Sequence, residues 1–300
     1  VTIFEALHRP GGVLIFGIPE FRLPNHIVDF EIEYLRRLGV EIRVDALVGS
    51  TAKMDQLLGE MGYDAVFLGL GAGTPIFMGI PGENLPGVYS ANEFLTRVNL
   101  MEAHNPDTDT PLRFGDNVAV IGGGNTAMDA SRTSVRLGAK RVMLVYRRSR
   151  EEMPARVEEV RHAEEEGVEF MFQTVPVRYI ADESGNLAAM ECVRTGLGPP
   201  DESGRRRPIV IEGSNFEVPV DIVIVAIGAR PNPLVRRIAA QAGLSLDEKG
   251  HVIVDPDTGR TNVEGIWAGG DIVGGEETVI KGMGDGRRAA MDMHEYLSRR

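Results

Sequence analysis

Cysteine is almost absent. Cys192 is the one cysteine in 300 residues. That excludes an internal disulfide, a CxxC redox pair and an all-cysteine iron–sulfur site within the chain. A lone thiol fits a reducing, cytoplasmic setting. Long apolar runs are also lacking, and no stretch reaches the ~18 residues of a membrane span. The first residues show no basic segment leading into an apolar one, so no secretory leader is read. Positive charge is in deficit, with 32 Lys and Arg against 44 Asp and Glu and a net charge of −12. Nucleic acid and anionic membrane surfaces are therefore poor partners. The histidines (8, 26, 104, 162, 251 and 294) are scattered, with no HxH or HExxH, and no G-x-S-x-G occurs. Neither a metal centre nor a hydrolytic nucleophile is read.

Glycine is plentiful, with 36 residues, and it is clustered. DAVFLGLGAG (64–73), NVAVIGGGNTA (117–127), DIVIVAIGARPNP (221–233) and GIWAGGD (265–271) are apolar runs ending in glycine. This is the pattern of buried parallel strands with tight turns at their C-terminal ends, where α/β sheets bind ligands. Helical spacing occupies 28–39, 127–138, 155–167 and 277–297, the first three closed by glycine. Residues 173–220 read as an antiparallel excursion, with turns at Ser184–Asn186 and around 198–207. HNPDTDTP (104–111) reads as a linker. About two domains are expected from the length.

VAVIGGGNTAMD is a strand, a glycine turn and a helix. Gly122, Gly124 and Ala127 fit G-x-G-x-x-G/A. The first glycine makes the tight turn, the second lets a pyrophosphate approach, and the small third residue lets helix pack on strand. Free N–H groups at the helix start then meet the phosphates. RVMLVYRRS (141–149) supplies the second strand. At its end, where NAD sites place an acid, stand Tyr146, Arg147 and Arg148. Guanidinium groups grip a 2′-phosphate that an acid would repel, so the nucleotide is read as NADP(H). Arg150 is a possible helper. Arg205, Arg206 and Arg207 read as a solvated hairpin tip, and Cys192 as a small core residue.

VTIF ending in Glu5 resembles the second strand of another dinucleotide unit, whose acid holds an unphosphorylated ribose. GIWAGGD followed by a helix start near Glu277 and Thr278 offers N–H groups and the Asp271 carboxylate together, suited to a flavin.

These stretches resemble the small (β) subunit family of NADPH-dependent glutamate synthase. That family includes the NADPH-binding subunit of ferredoxin–NADP transhydrogenase and the reductase half of dihydropyrimidine dehydrogenase. The resemblance rests on 4–24, 120–139, 145–155, 191–209, 225–232 and 268–290, and covers essentially the whole chain. It implies an α/β protein of two Rossmann-like dinucleotide-binding domains, the NADPH domain inserted into the FAD domain, with a small antiparallel β excursion. The expected ranges are 1–103 and 229–300 for FAD and 104–228 for NADPH. Hydride would pass from NADPH to flavin, then electrons to iron–sulfur centres outside this chain, on a larger partner subunit or domain.

Carried over residue by residue, Glu5, Gly12, Val13, Arg22, Val48, Gly270, Asp271, Thr278 and Val279 are expected at FAD. Gly122, Gly123, Gly124, Asn125 and Thr126 are expected at the NADP phosphates, Arg147 and Arg148 at its 2′-phosphate, and Ala226, Ile227 and Gly228 near the nicotinamide. No catalytic acid or base is named. Family members have a cysteine-rich iron–sulfur region and a first FAD strand with its own glycine loop before the point matched by Val1. The expectation is therefore an N-terminally truncated chain that holds FAD weakly alone, or binds NADP(H) without activity of its own.

Overall fold

The computed structural model describes residues 1–201, 204–274 and 278–299. Along the first third run β1 (Thr2–Phe4), α1 (Val13–Phe16), α2 (Asn25–Arg37), β2 (Glu41–Arg43), α3 (Met54–Leu58), β3 (Val66–Leu68), β4 (Thr74–Pro75), β5 (Val88–Ser90) and α4 (Ala91–Asn99). The middle holds β6 (Asn117–Ile121), α5 (Asn125–Arg136), β7 (Arg141–Tyr146), α6 (Val157–Glu165), β8 (Glu169–Phe172), β9 (Thr174–Ala181), β10 (Leu187–Pro200), β11 (Arg206–Val210), β12 (Phe216–Pro219) and β13 (Ile222–Val225). The last part holds β14 (Ala229–Arg230), α7 (Pro233–Ala242), β15 (Ile266–Ala268) and α8 (Val279–Ser298).

The chain divides into two compact units. Unit one is 1–10, 31–74 and 229–300, and unit two is 11–30 and 75–228. These ranges differ from the expected 1–103, 104–228 and 229–300. Residues 75–103 go with unit two because β5 pairs with β13 in register Val88↔Val223 and Phe94, Leu95 and Val98 of α4 enter the same core as α5. Residues 11–30 go with it because Arg22 is ion-paired to Asp129 and Glu159.

Unit two is built on a parallel sheet of order β5-β13-β6-β7-β8. Its central strands are apolar but for their first residues, Asn117 and Arg141, as strands covered on both faces must be. Val118, Val120, Val142, Leu144, Ile222 and Ile224 face α4, α5 and α6. The alternate residues Ala119, Ile121, Met143, Val145, Val223 and Val225 face Tyr179, Met190, Cys192 and Val218. The covering layer on that second face is an antiparallel sheet in which β9, β11 and β12 all pair with β10. The expected excursion is therefore the second wall of the core. Its first turn closes as an Asx turn, with Ser184 and Asn186 N–H both donating to Asp182 Oδ1 at 2.9 Å. Cys192 is fully buried, and burial pushes its thiol up to about 12, so it is a packing residue.

Unit one carries two parallel pairs, β1 with β2 and β3 with β15. Met54, Leu57, Leu68, Val235, Ile238, Ile266 and Ile272 form its core. Helix α7 is well punctuated: Asn232 caps it by accepting from Leu234 N–H at 2.9 Å, Pro233 opens it, and Gly243 closes it in the left-handed conformation at φ 72°. Among the described residues no helix is long and apolar enough to cross a membrane.

A charge network ties α5 to α6 in unit two. Arg132 donates to Glu159 at 2.7 Å and to Glu166 at 2.9 Å, and Arg136 also binds Glu166. Burial alone would raise the Glu166 carboxyl, but hydrogen bonds from Arg136 and Arg132 outweigh it and hold it down to about 2. A lowered folded value contributes stability that is complete above the ordinary 4.5 and lost as pH falls toward 2. Glu166→Gln is thus expected to be destabilising at pH 7, with a difference from the parent that shrinks steadily below pH ~4.5. Urea midpoints measured across that range check this.

Candidate functional site

The nucleotide turn of unit two leaves β6 and enters α5. Gly122 has φ 149°, and a Cβ there would lie 2.2 Å from the Ala226 carbonyl oxygen. No side chain fits, because β6 and β13 are neighbours and the loops leaving them pass each other. A Cβ on Gly123 would strike the ring of Tyr146 at 2.6 Å. Gly124 is open, with nothing nearer than Pro154 Cγ at 4.0 Å. It caps α5 in extended conformation without any side-chain cap. Among the described residues no protein acceptor takes the N–H groups of Gly123, Gly124, Asn125 or Thr126. Orphan donors at a helix start beside an open glycine suit a phosphate. The turn is held from the far side by Ala155 N–H donating to Gly123 O at 3.1 Å and Arg156 N–H to Asn125 Oδ1 at 3.0 Å. Ala226 N–H donates to Ile121 O at 2.8 Å, and Ile76 N–H to Gly228 O at 3.1 Å. The exposed Ile227 and Gly228 thus lie in the loop leaving β13, next to the turn.

The three arginines after β7 have separate fates. Arg147 is exposed. Arg148 is buried at 4% exposure. Its Nε donates to Arg206 O at 2.7 Å and its Nη2 binds Asp201. Arg150 is paired with Glu164. Of the expected 2′-phosphate pair, then, Arg147 is exposed and Arg148 is buried against Asp201 and the Arg206 carbonyl. Of the residues read as a solvated tip, Arg206 and Arg207 are exposed and Arg205 is half-buried; Arg206 binds Glu152 and reaches Ser149 Oγ at 3.4 Å.

Unit one places its candidates at strand ends. Glu5 follows β1, and its Oε1 accepts from Leu7 N–H at 2.9 Å. Val48 is half-buried against the unit's core. Gly269, Gly270 and Asp271 follow β15. Gly270 is left-handed at φ 76°. Its N–H donates to Asp285 Oδ2 at 2.9 Å. Burial pushes the Asp271 carboxyl up from its ordinary value. Thr278 caps α8, accepting from Lys281 N–H at 3.3 Å, and Val279 is exposed. Glu277 lies outside the described residues.

The other three candidates, Gly12, Val13 and Arg22, belong to unit two. Gly12 is the left-handed cap of α1 at φ 52°, and Val13 is half exposed. Arg22 donates to both oxygens of Asp129 at 2.7 Å. Its guanidinium is committed to carboxylates of unit two. Burial pushes Asp129 up to about 6 despite Arg22.

Residues 27–286 match the pyridine nucleotide-disulphide oxidoreductase family. The chain belongs to that family. It is 44% identical over 99% of its length to the NADP(+)-dependent formate dehydrogenase subunit beta of Moorella thermoacetica, covering 40% of that protein. It is 40% identical to the glutamate synthase [NADPH] small chain of Halomonas elongata, covering 99% of this chain and 62% of the other. The Escherichia coli (strain K12) glutamate synthase [NADPH] small chain is 38% identical, with 99% and 63% covered. The chain thus spans about half the length of the curated relatives it matches. Among solved structures, Mycobacterium tuberculosis FprA in complex with NADPH superposes with a TM-score of 0.79 at 20% identity, over 100% of this chain and 78% of that one. T. acidophilum thioredoxin reductase gives 0.71 at 18%, over 99% and 90%. The fold is that of proteins with two dinucleotide-binding domains.

With one buried cysteine, this pyridine nucleotide-disulphide oxidoreductase holds no disulfide within its 300 residues. The sequence reading overlooked Asp285. It is buried, bonds Gly270 N–H and binds Lys281 and Arg288. The signal was present as an acid among small residues in GMGDGRRAA (282–290). Gly122→Ala is expected to destabilise unit two by on the order of 2 kcal/mol or more, since it adds both a clash and a strained φ. The same variant should lose nucleotide binding. Thermal melting with and without NADPH tests both.

Proposed function

We propose that this chain is the NADPH-oxidising flavin portion of an electron-transfer oxidoreductase of the glutamate synthase small-subunit kind. NADPH is held by unit two and FAD by unit one. Electrons then leave to iron–sulfur centres outside these residues, on a larger partner subunit or domain. One observation carries the reading. A glycine turn whose four N–H groups have no acceptor among the described residues stands beside a second strand followed by the exposed Arg147, not by an acid. The charge there favours a phosphorylated ribose. The relatives named as NADP(+)- or NADPH-dependent support the same reading.

NADPH supplies a hydride and a flavin accepts it. The residues of the chain bind and align. Gly123 to Thr126 offer N–H donors to the pyrophosphate, and Arg147 meets the 2′-phosphate. Ala226 to Gly228 line the nicotinamide side, their backbone fixed by Ile121 O and Ile76 N–H. In unit one, Glu5 is suited to a ribose hydroxyl. Asp271, the N–H groups at the start of α8 and the loop fixed by Asp285 are suited to the flavin end. No side chain is required to move a proton, so what these residues supply is orientation and exclusion of water.

The test is an anaerobic titration of the purified chain, supplied with FAD, while visible absorbance is recorded. NADPH is expected to bleach the flavin band, and NADH at equal concentration to leave most of it. Equal bleaching by both nucleotides, or none by NADPH, overturns the proposal.

A further inference from the structure

Among the described residues of unit one, Asp285 is the one charged side chain that is buried. Two donors share its Oδ2, the Gly270 N–H at 2.9 Å and the Lys281 ammonium at 2.8 Å. Its Oδ1 takes Arg288. The loop after β15 reaches this carboxylate because its glycines lie directly against α8. A Cβ on Gly269 would stand 2.8 Å from Asp285 Cβ, and one on Gly270 would meet Gly282 Cα at 3.9 Å. The ammonium and the Gly270 nitrogen are therefore each one hydrogen bond from the same oxygen, and Asp271 is the next residue. Yet the half-buried Asp271 carboxylate makes no hydrogen bond or ion pair with any described residue. Burial pushes it up, and the nearby Lys281 charge pulls it back only in part. A lysine side chain is long and rotatable, and a carboxylate beside it attracts it unless the ammonium is held elsewhere.

We infer that Asp285 is a positioning residue that holds the Lys281 ammonium away from Asp271, and so keeps the Asp271 carboxylate open to accept hydrogen bonds from the hydroxyl groups of a bound flavin. This rests on the FAD reading of unit one above and assigns a residue to its upkeep. Asp285 wins the ammonium because it is the better-supported anion. Against burial, hydrogen bonds from Lys281 and from the Gly270 N–H hold its carboxyl below the ordinary value, and Arg288 adds a further charge. Asp271 has no such support. A carboxylate paired with an ammonium has its lone pairs engaged, so a neutral hydroxyl must displace a charge-assisted bond to reach it. With Lys281 restrained, the hydroxyl meets an unengaged acceptor. Arg288 binds the other oxygen of Asp285, away from Gly270 and Lys281, and serves as the control.

The experiment compares the full chain with Asp285→Asn, which keeps an oxygen for the Gly270 N–H but loses the charge that holds Lys281. Two quantities are read. Carbon NMR follows the titration of the Asp271 carboxyl without any ligand, and flavin fluorescence follows the uptake of FAD. Asp285→Asn is expected to lower the Asp271 midpoint by about one pH unit or more, as a newly paired carboxylate does, and to weaken FAD about tenfold. Adding Lys281→Met to Asp285→Asn is expected to reverse most of both changes, and Arg288→Ala alone to produce neither. A role confined to stability gives no such rescue, because the double variant would then be at least as impaired as the single one. An unmoved Asp271 midpoint in Asp285→Asn, or a double variant that recovers nothing, overturns the role of Asp285 while the FAD reading stands. A parent chain that takes up no FAD overturns the FAD reading and the purpose assigned to Asp285 with it.

Discussion

A parallel sheet in this protein must be covered on both faces, and the rest of unit two follows from that requirement. The interiors of its strands are apolar on both faces, so exposing either face would leave Val, Ile, Leu and Met side chains in water. Helices α4, α5 and α6 cover one side. The other is covered by an antiparallel sheet, and β10, its longest strand, reaches past the core. The same strand that contributes Met190 and Cys192 to the interior carries Thr195 to the backbone of Arg147 and then enters the hairpin that Arg148 holds. Core coverage and the anchoring of the segment after β7 are thus carried by one strand.

The arginines in this region show how environment divides a single residue type. Arg148 is desolvated, and a buried charge is tolerable only when paired and hydrogen-bonded. Asp201 and a carbonyl meet that demand, and the pair fixes a turn. Arg147, the preceding residue, is exposed. Arg22 has a similar fate in α5's surroundings. Its hydrogen bonds to both oxygens of Asp129 join residues 11–30 to unit two.

In unit one the loop after β15 is held by a carboxylate from another element. Gly270 adopts a conformation that other residues rarely reach, and its N–H is fixed by Asp285 from the second turn of α8. Lys281 and Arg288 on the same helix neutralise that carboxylate and hold it below its ordinary value against burial. The loop that presents Asp271 is therefore tied to α8 through Gly270.

By itself the sequence determined everything written in local chemistry. The apolar runs ending in glycine, the helix at 125–136 and the antiparallel segment are legible because strand alternation, helical spacing and glycine turns each have a short-range signature. So is the absence of an acid after β7, which is read from adjacent residues. Only the tertiary structure decided the pairings: that Arg148 turns inward to Asp201, that Arg22 belongs to Asp129, that residues 75–103 complete the sheet of unit two, and that Asp285 steadies Gly270. The side-chain partners among these lie between 15 and 107 residues apart in the chain. Nothing in the spacing of either partner encodes the other. The burial of a charge creates the need for a counter-charge, and the fold alone determines which one arrives.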